Sequence, residues 1–366
     1  MAIRYLFQRF PALAKNLPWM PLAKLPTPVQ RLEQLGHELK SSNLWIKRDD
    51  LDSDIYSGNK VRKFEFIFAD AKAKKKTCVL TMGSAGSNHG AATTLYCREL
   101  GFDVILALCP QPVLSYVRQN ILVNHNLGAN IMCSGNDVTN VLNIAKLYFS
   151  NLLQGKPQPY FMYFGGSSAI GNVGFVEAGL ELGAQVQAGE LPEPKYLFVA
   201  TGSCGTHAGL LVGLRLAGLS TRVMGVRIVP KMVTNKPVVA FHANRLVRFL
   251  RSHDRNFPVM KFHATDIDLL EDYFGGQYGR PTASGKEAIN LLGETEGIPL
   301  DPTYTGKAFA GLLGFVRQQN IIDEPTLFWQ TLNTADLSKH IPQEVPEDLP
   351  MPLQKYFQKP LYDPDL

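Results

Sequence analysis

In SGNKVRKFEF, residues 57–66, Lys60, Arg62 and Lys63 crowd together directly after the acidic run KRDDLDSD. A lysine amine attacks a carbonyl only when neutral, and burial or nearby cations lower its pKa toward that form, as a Schiff-base lysine requires. Lys60 follows Ser57, Gly58 and Asn59 at an expected helix start, where the helix dipole also disfavours a protonated amine. Charge alone does not separate Lys47, Lys60 and Lys63, and a solvated first helical turn accounts for the same pattern.

Two glycine-rich turns supply anion chemistry. In VATGSCGTHAGLLVGL, residues 199–214, an apolar strand runs into small residues and then a helix. Unpaired N–H groups of the first turn, aided by the Ser203 and Thr206 hydroxyls, can surround a phosphate there. Neither GxxxxGK[ST] nor GxGxxG is present, so a nucleotide is not the natural ligand. MGSAGSNHGAATTL, residues 82–95, repeats the arrangement: Ser84, Ser87 and the first-turn amides can receive a carboxylate. Ser87 also reads as a simple helix cap, and His89 as a residue satisfied within its own loop. Two such helix starts fit a phosphorylated cofactor together with a small carboxylate substrate.

The elements that must hold these turns follow from periodicity. From residue 77, short apolar runs alternate with helical patterns, the signature of a parallel sheet with crossover helices. CVLTMGS, DVILALC, ANIMCSG and YFMYFGG are expected strands, with helices at about 87–100, over LSYVRQNILVNHNLG and over DVTNVLNIAKLYFSNLLQ. A second unit places KYLFVATG and RVMGVRIV as strands, with helices at about 172–182 and 205–217 and a further helix over VVAFHANRLVRFL. The fold class is therefore α/β, and two such units imply a cleft beyond the strands' carboxyl ends. The Pro-rich tail after Ile341 lacks strong periodicity and reads as an extended arm.

Composition narrows the classes. With 366 residues, 45% of them hydrophobic, the chain can bury a large core and form two domains. A net charge of +5 is dispersed except for KAKKK at 72–76; a nucleic-acid face could use that cluster, but it reads first as a solvated helix end, and no nucleic-acid partner is expected. Five widely spaced cysteines, Cys78, Cys97, Cys109, Cys133 and Cys204, form neither a disulfide framework nor a CxxC metal pattern; buried thiols in a reducing, cytoplasmic compartment are expected. No membrane-spanning stretch is present, no metal is expected, and the first 32 residues read as an arm laid along the body.

SGNKVRKFEF, GSNHGAAT, TGSCGTHAGL, GGQYGRPT and LDPTYTGKAFAGL occur in the order found in the fold-type-II, tryptophan-synthase-β-like pyridoxal-phosphate enzymes. The chain resembles the branch containing D-cysteine desulfhydrase and 1-aminocyclopropane-1-carboxylate deaminase, over about residues 25–325. The resemblance implies two open, twisted, mostly parallel sheets flanked by helices. Residues 1–62 and 172–366 would form a large cofactor-binding domain with the N-terminal arm, and 63–171 a small substrate-side domain, in a homodimer. Pyridoxal 5'-phosphate is the implied cofactor and a small amino acid the implied substrate.

By the same resemblance Lys60 binds the cofactor covalently and moves the Cα proton, Asn88 meets the ring oxygen, and Thr201, Gly202, Ser203, Cys204, Gly205 and Thr206 hold the phosphate. Ser87, with Ser84 and His89 beside it, seats the substrate carboxylate, while Tyr278 and Tyr304 are the paired active-site tyrosines. Thr305 lies where deaminases of this branch typically carry glutamate toward the pyridine nitrogen and desulfhydrase-like members carry threonine. It implies β-elimination of a thiol, with D-cysteine first, over cyclopropane opening; a third possibility is a homologue that binds the cofactor without turnover. Gly86, where glutamine is common, and Ser57, where glycine is usual, are departures expected to loosen the substrate side.

Overall fold

Runs such as CVLTMGS and YLFVAT are apolar on both faces and too short for helices, so they form buried strands; the longer stretches between them, apolar every three or four positions, form helices. The computed structural model describes residues 4–319 and 324–362. The first three residues of the expected N-terminal arm and the last four of the tail lie outside the described residues. In chain order the elements are α1 (Tyr5–Arg9), α2 (Pro11–Asn16), β1 (Val29–Arg31), α3 (Glu33–Leu39), β2 (Leu44–Arg48), α4 (Asn59–Ala73), β3 (Cys78–Ser84), α5 (Asn88–Leu100), β4 (Asp103–Cys109), α6 (Ser115–Asn126), β5 (Asn130–Cys133) and α7 (Asp137–Leu153). They continue with β6 (Tyr160–Met162), α8 (Ala169–Gln187), β7 (Tyr196–Thr201), α9 (Gly205–Ala217), β8 (Arg222–Arg227), α10 (Lys236–His253), β9 (Asp268–Leu270), α11 (Ala283–Glu296), α12 (Thr305–Gln319), β10 (Thr326–Gln330) and α13 (Met351–Gln358).

The larger unit comprises the chain up to Ile67 together with Ser167–Thr334. Its six strands run in the order β1-β2-β10-β7-β8-β9, parallel except for β1. Phe328 in β10 stands between Ile46 of β2 and Phe198 of β7. On one face Ala308, Phe309, Leu312 and Leu313 of α12 pack with those strand residues; on the other, Phe175 and Leu182 of α8 and Leu210 of α9 pack with Leu197, Leu327 and Trp329. The N-terminal arm belongs to this unit: Leu6, Phe10 and Leu13 are buried among residues of α8, α9 and α10.

The second unit comprises Phe68–Gly166 and the chain from Ala335. Its four strands, in the order β5-β4-β3-β6, are all parallel. The division differs from the expected one at 62/63 and 171/172, since it falls within α4 and just before α8. The tail also leaves the larger unit. Leu349, Leu353 and Tyr356, on and beside α13, pack with Ala85, Val113, Leu114, Val117 and Ile121, so the stretch read as an extended arm is in part a helix with its own core.

Candidate active site

The structure separates the three lysines. Lys47 is buried in β2, where its Nζ donates to Glu181 Oε1, Gln185 Oε1 and Thr27 O at 2.6 Å each, so its charge serves the core. Lys63 is also buried and donates to Ser167 Oγ at 3.1 Å; burial and then the charge of Lys60 push its pKa well down. Lys60, in the first turn of α4, donates to Asn59 Oδ1 at 2.6 Å. Desolvation lowers its pKa to about 8, against the opposing pull of the Asp301 carboxylate. Of the three, Lys60 combines a readily neutralised amine with a partner it can leave.

Asn59 joins that lysine to the glycine-rich turn, because its Nδ2 donates to Thr206 Oγ1 at 3.3 Å. The turn leaves the carboxyl end of β7 and enters α9 through Cys204, a non-glycine residue at φ +64° with no side-chain cap on the helix. Thr234 donates its hydroxyl to Gly202 O, and Ser203 Oγ pairs with Ser167 Oγ at 2.7 Å. A Cβ at position 205 would collide with Asn172 Oδ1 and Ser167 Oγ, so only glycine permits this approach. Asn172 is fully buried, yet neither of its side-chain polar atoms has a hydrogen-bond partner. A buried, unpaired amide beside an uncapped helix start is a place for an anion with several acceptor oxygens.

Asp301 organises the remaining residues of this unit. Its Oδ1 accepts from the amides of Thr303 (2.9 Å) and Tyr304 (2.7 Å), and its Oδ2 from the amide (3.1 Å) and hydroxyl (2.8 Å) of Thr305. The Asp301 amide donates back to Thr305 Oγ1 at 2.8 Å, which closes the start of α12. Tyr304, fixed by this turn, hydrogen-bonds Tyr278 hydroxyl to hydroxyl, with ring centroids 6.0 Å apart. Lys307 Nζ donates to Phe274 O at 2.7 Å and so anchors the glycine loop that carries Tyr278.

The second unit carries the other turn. Ser87 caps α5, accepting from the Gly90 amide at 3.2 Å, and Asn88 Oδ1 accepts from Asn120 Nδ2 at 2.8 Å, which leaves its Nδ2 end as a donor. Thr81 gives its hydroxyl proton to Met162 O (2.8 Å), so at its 2.9 Å contact with His89 it is the ring Nε2–H that donates. His89 thereby orients the first turn of α5 from beneath. Ser84 Oγ is buried without a partner. Gly86, expected to loosen the loop, does the reverse: its amide donates to Gln111 Oε1 (3.2 Å), its carbonyl accepts from Asn120 (2.9 Å), and a Cβ there would lie 2.6 Å from Val117.

The profile of the family described as pyridoxal-phosphate dependent enzyme matches residues 21–329. The chain belongs to this family. It is 36% identical over 336 residues to the D-cysteine desulfhydrase of Yersinia enterocolitica, covering 90% of this chain and 97% of that protein. With the protein of the same name from Serratia proteamaculans the identity is 34% over 335 residues, at the same coverages. A crystal structure of an ACC deaminase homologue superposes with a TM-score of 0.75 at 30% identity, covering 92% of this chain and 96% of that one. The fold is thus that of the fold-type-II pyridoxal-phosphate enzymes, in the branch of these relatives.

The residues fit the cofactor. Lys60 would supply the amine and the uncapped start of α9 with unpaired Asn172 the phosphate cradle, and Asn59 links the two. Lys60, Tyr278, Tyr304, Thr305 and residues 201–206 lie in the larger unit, and Ser84, Ser87, Asn88 and His89 in the second. Sequence reasoning passed over Asn59, Ser167, Asn172 and Asp301. Asn59 and Asp301 lie inside SGNKVRKFEF and LDPTYTGK, where an amide beside the lysine and a carboxylate four residues before Thr305 were legible signals. Ser167 and Asn172 carry none, because only the packing of α8 against α9 brings them to the turn.

Proposed function

We propose that this chain eliminates a thiol from the β carbon of a small amino acid, with D-cysteine as the first candidate, giving sulfide, pyruvate and ammonia. Thr305 carries the reading. It stands where deaminases of the branch carry glutamate, and its buried hydroxyl is bound to Asp301, so it offers the cofactor ring no formal charge. A neutral partner suits a reaction with a good leaving group at Cβ, because departure of the thiol asks less of the electron sink than opening a ring. The 36% identity to a protein named D-cysteine desulfhydrase supports the same choice.

Pyridoxal phosphate, when bound, supplies a carbonyl for the substrate amine and a conjugated ring that disperses the charge developing at Cα. Lys60 Nζ, neutral in a useful fraction near pH 8, accepts the Cα proton. Ser84 Oγ and the first-turn amides of α5 bind the substrate carboxylate, held in place by the Ser87 cap. The hydrogen-bonded Tyr278 and Tyr304 hydroxyls hold a proton that they deliver to the sulfur as the Cβ–S bond breaks. The freed enamine then adds water and loses ammonia to leave pyruvate. Among the described residues no cluster of His, Cys, Asp or Glu is built to hold a metal, and the cysteines are free thiols, which suits a reducing cytoplasm.

The second reading, conversion of 1-aminocyclopropane-1-carboxylate to 2-oxobutanoate and ammonia, draws on the likeness to the ACC deaminase homologue. Parallel assays of sulfide and pyruvate from D- and L-cysteine, and of 2-oxobutanoate from the cyclopropane amino acid, decide between them. Sulfide release from D-cysteine as the fastest reaction is expected. Faster cyclopropane turnover at matched concentration reverses the order, and a cofactor spectrum unmoved by all three points to a binding protein without turnover.

A further inference from the structure

The second unit holds a cavity of about 350 Å³ beyond the carboxyl ends of β4 and β5, within the range of roughly 300–1,000 Å³ in which small-molecule pockets fall. Pro110, Gln111 and Val113 follow β4, Cys133 ends β5 with Gly135 just beyond it, and α13 with its cap contributes Pro352, Lys355, Tyr356 and Lys359. The spacing 352, 355, 356, 359 is one face of a helix, so α13 lies along the cavity. Its other side is fixed: Leu353 is buried with Val117 and Ile121, and Tyr356 O accepts from Arg118 Nε at 2.9 Å. Ligands of open α/β sheets bind beyond the carboxyl ends of strands. In this sheet β3 leads into the Ser87 turn, and β4 and β5 lead into the cavity.

The lining divides by chemistry. Two proline rings, Val113 and the Tyr356 ring are apolar, and no described residue that lines the cavity is acidic. The charges are Lys355 and Lys359, one helical turn apart and both exposed, and among the described residues neither ammonium group is paired with a carboxylate. We propose that the cavity is a second binding site, for a small organic carboxylate whose apolar body lies among Pro110, Val113, Pro352 and the Tyr356 ring and whose charge meets Lys355 and Lys359. Inorganic phosphate is the poorer ligand, since it has no apolar surface to bury against those rings. The cavity is also joined to the substrate side. The Tyr356 hydroxyl accepts from the Gln111 amide at 3.0 Å and Gln111 Oε1 accepts from the Gly86 amide at 3.2 Å, so a ligand that steadies Tyr356 and Gln111 steadies the turn before α5. The effect of occupancy on turnover rests on the reading that this turn seats the amino acid's carboxylate; binding in the cavity does not.

The test uses the full-length protein loaded with its cofactor and benzoate as the probe, with benzamide and inorganic phosphate as controls that lack the charge and the apolar body respectively. Alkylation of the free Cys133 thiol is followed by peptide mass mapping, which separates it from the other four cysteines, and hydrogen exchange is read at residues 84–90. Two variants remove the site in different ways. Lys355→Met/Lys359→Met takes away the charge, and Gly135→Phe sets a ring at the mouth, where an added Cβ meets nothing within 4 Å. Saturating benzoate is expected to slow Cys133 labelling by about fivefold or more and to slow exchange at 84–90, with benzamide and phosphate each needing about tenfold higher concentration. Both effects are lost in either variant, at unchanged cofactor absorbance. Cys133 labelling that ignores benzoate overturns the proposal, as does protection that survives in both variants. Equal protection by phosphate overturns the apolar half of the site, and protected Cys133 with unmoved exchange at 84–90 overturns its link to the substrate turn. Should the double variant fail to fold, Gly135→Phe decides. None of these readouts needs turnover, so their failure is distinct from a failure of D-cysteine as substrate.

Discussion

Lys60 depends on two opposing influences, burial that favours its neutral form and Asp301 that favours its charged one. Asp301→Asn keeps an acceptor for the turn at the start of α12 but removes the negative charge, so the Lys60 pKa moves below about 8. Acetylation of Lys60 in cofactor-free protein, followed by peptide mass mapping across pH 6 to 10, reports that pKa directly because only the neutral amine reacts. An Asn variant whose labelling midpoint stays at the wild-type value would remove Asp301 from the electrostatics of the site. Gly205 gives a second prediction at this scale. Gly205→Val drives its side chain into Asn172 and Ser167, so cofactor retention after dialysis falls by at least tenfold, on the order of 1.4 kcal/mol or more, while Cys204→Ala retains it. Equal retention in folded wild type and valine variant would count against a phosphate at this turn.

Among elements, α13 and α6 together fix the loop before α5. The Tyr356 hydroxyl accepts from the Gln111 amide at 3.0 Å, Gln111 Oε1 accepts from the Gly86 amide and Asn120 donates to the Gly86 carbonyl, so the tail helix acts through one intermediate residue on the turn proposed to seat the substrate. Tyr356→Phe strips that amide of its acceptor and costs about 1 kcal/mol of stability. It also frees the loop, so KM for the amino acid rises while kcat changes little, and hydrogen exchange at residues 84–90 quickens. Unchanged exchange there would confine Tyr356 to packing. None of this linkage is visible in the chain's periodicity, for the hydrogen bonds span up to 245 residues in sequence. The strands read from the sequence were those with long apolar runs, such as Cys78–Ser84 and Asp103–Cys109. β1 and β9, at three residues each, are too short to show a repeat, and β2 holds Lys47 and Arg48 where a buried strand is expected to be apolar. The motif residues were legible because chemistry restricts them to few types; the residues that support them from outside the motifs, such as Ser167 and Asn172, satisfy tertiary geometry alone.

At the scale of the whole molecule, buried ionisable groups set how stability responds to acid. Arg62 binds Asp49 Oδ1 at 2.7 Å and Glu181 Oε1 at 3.0 Å, joining α4 and α8 to the segment after β2, and Glu181 is held down at about 2: burial opposes this, but Arg62 and Lys47 outweigh it. Glu177 and His207 titrate nearer neutrality with opposite signs. Glu177 in α8 accepts the amides of Tyr5 (2.8 Å) and Leu6 (2.9 Å), and burial raises its pKa from 4.5 to about 7. Between those values the folded state keeps a proton that the unfolded state loses, so this group lends stability at low pH that is lost as pH rises through 7. His207 in α9, buried against Thr201, is lowered from 6.5 to about 4 by desolvation. Here the unfolded state takes the proton first, so stability present above 6.5 is lost as pH falls toward 4. Each shift corresponds to roughly 3 kcal/mol, and across pH 4.5 to 6.5 they run in opposite directions; His242, brought down to about 4 by burial, adds to the side of His207, and Asp52 and Glu65, both raised by burial, add to the side of Glu177. Below pH 4.5 Glu181 adds a loss of stability, because the unfolded state takes its proton before the folded state does. The single variants separate the two: relative to the wild type, the urea midpoint of His207→Gln should rise as pH drops from 6.5 to 4, and that of Glu177→Gln should fall as pH drops from 7 to 4.5. Parallel pH profiles for both variants and the wild type would show that neither group titrates as its burial requires.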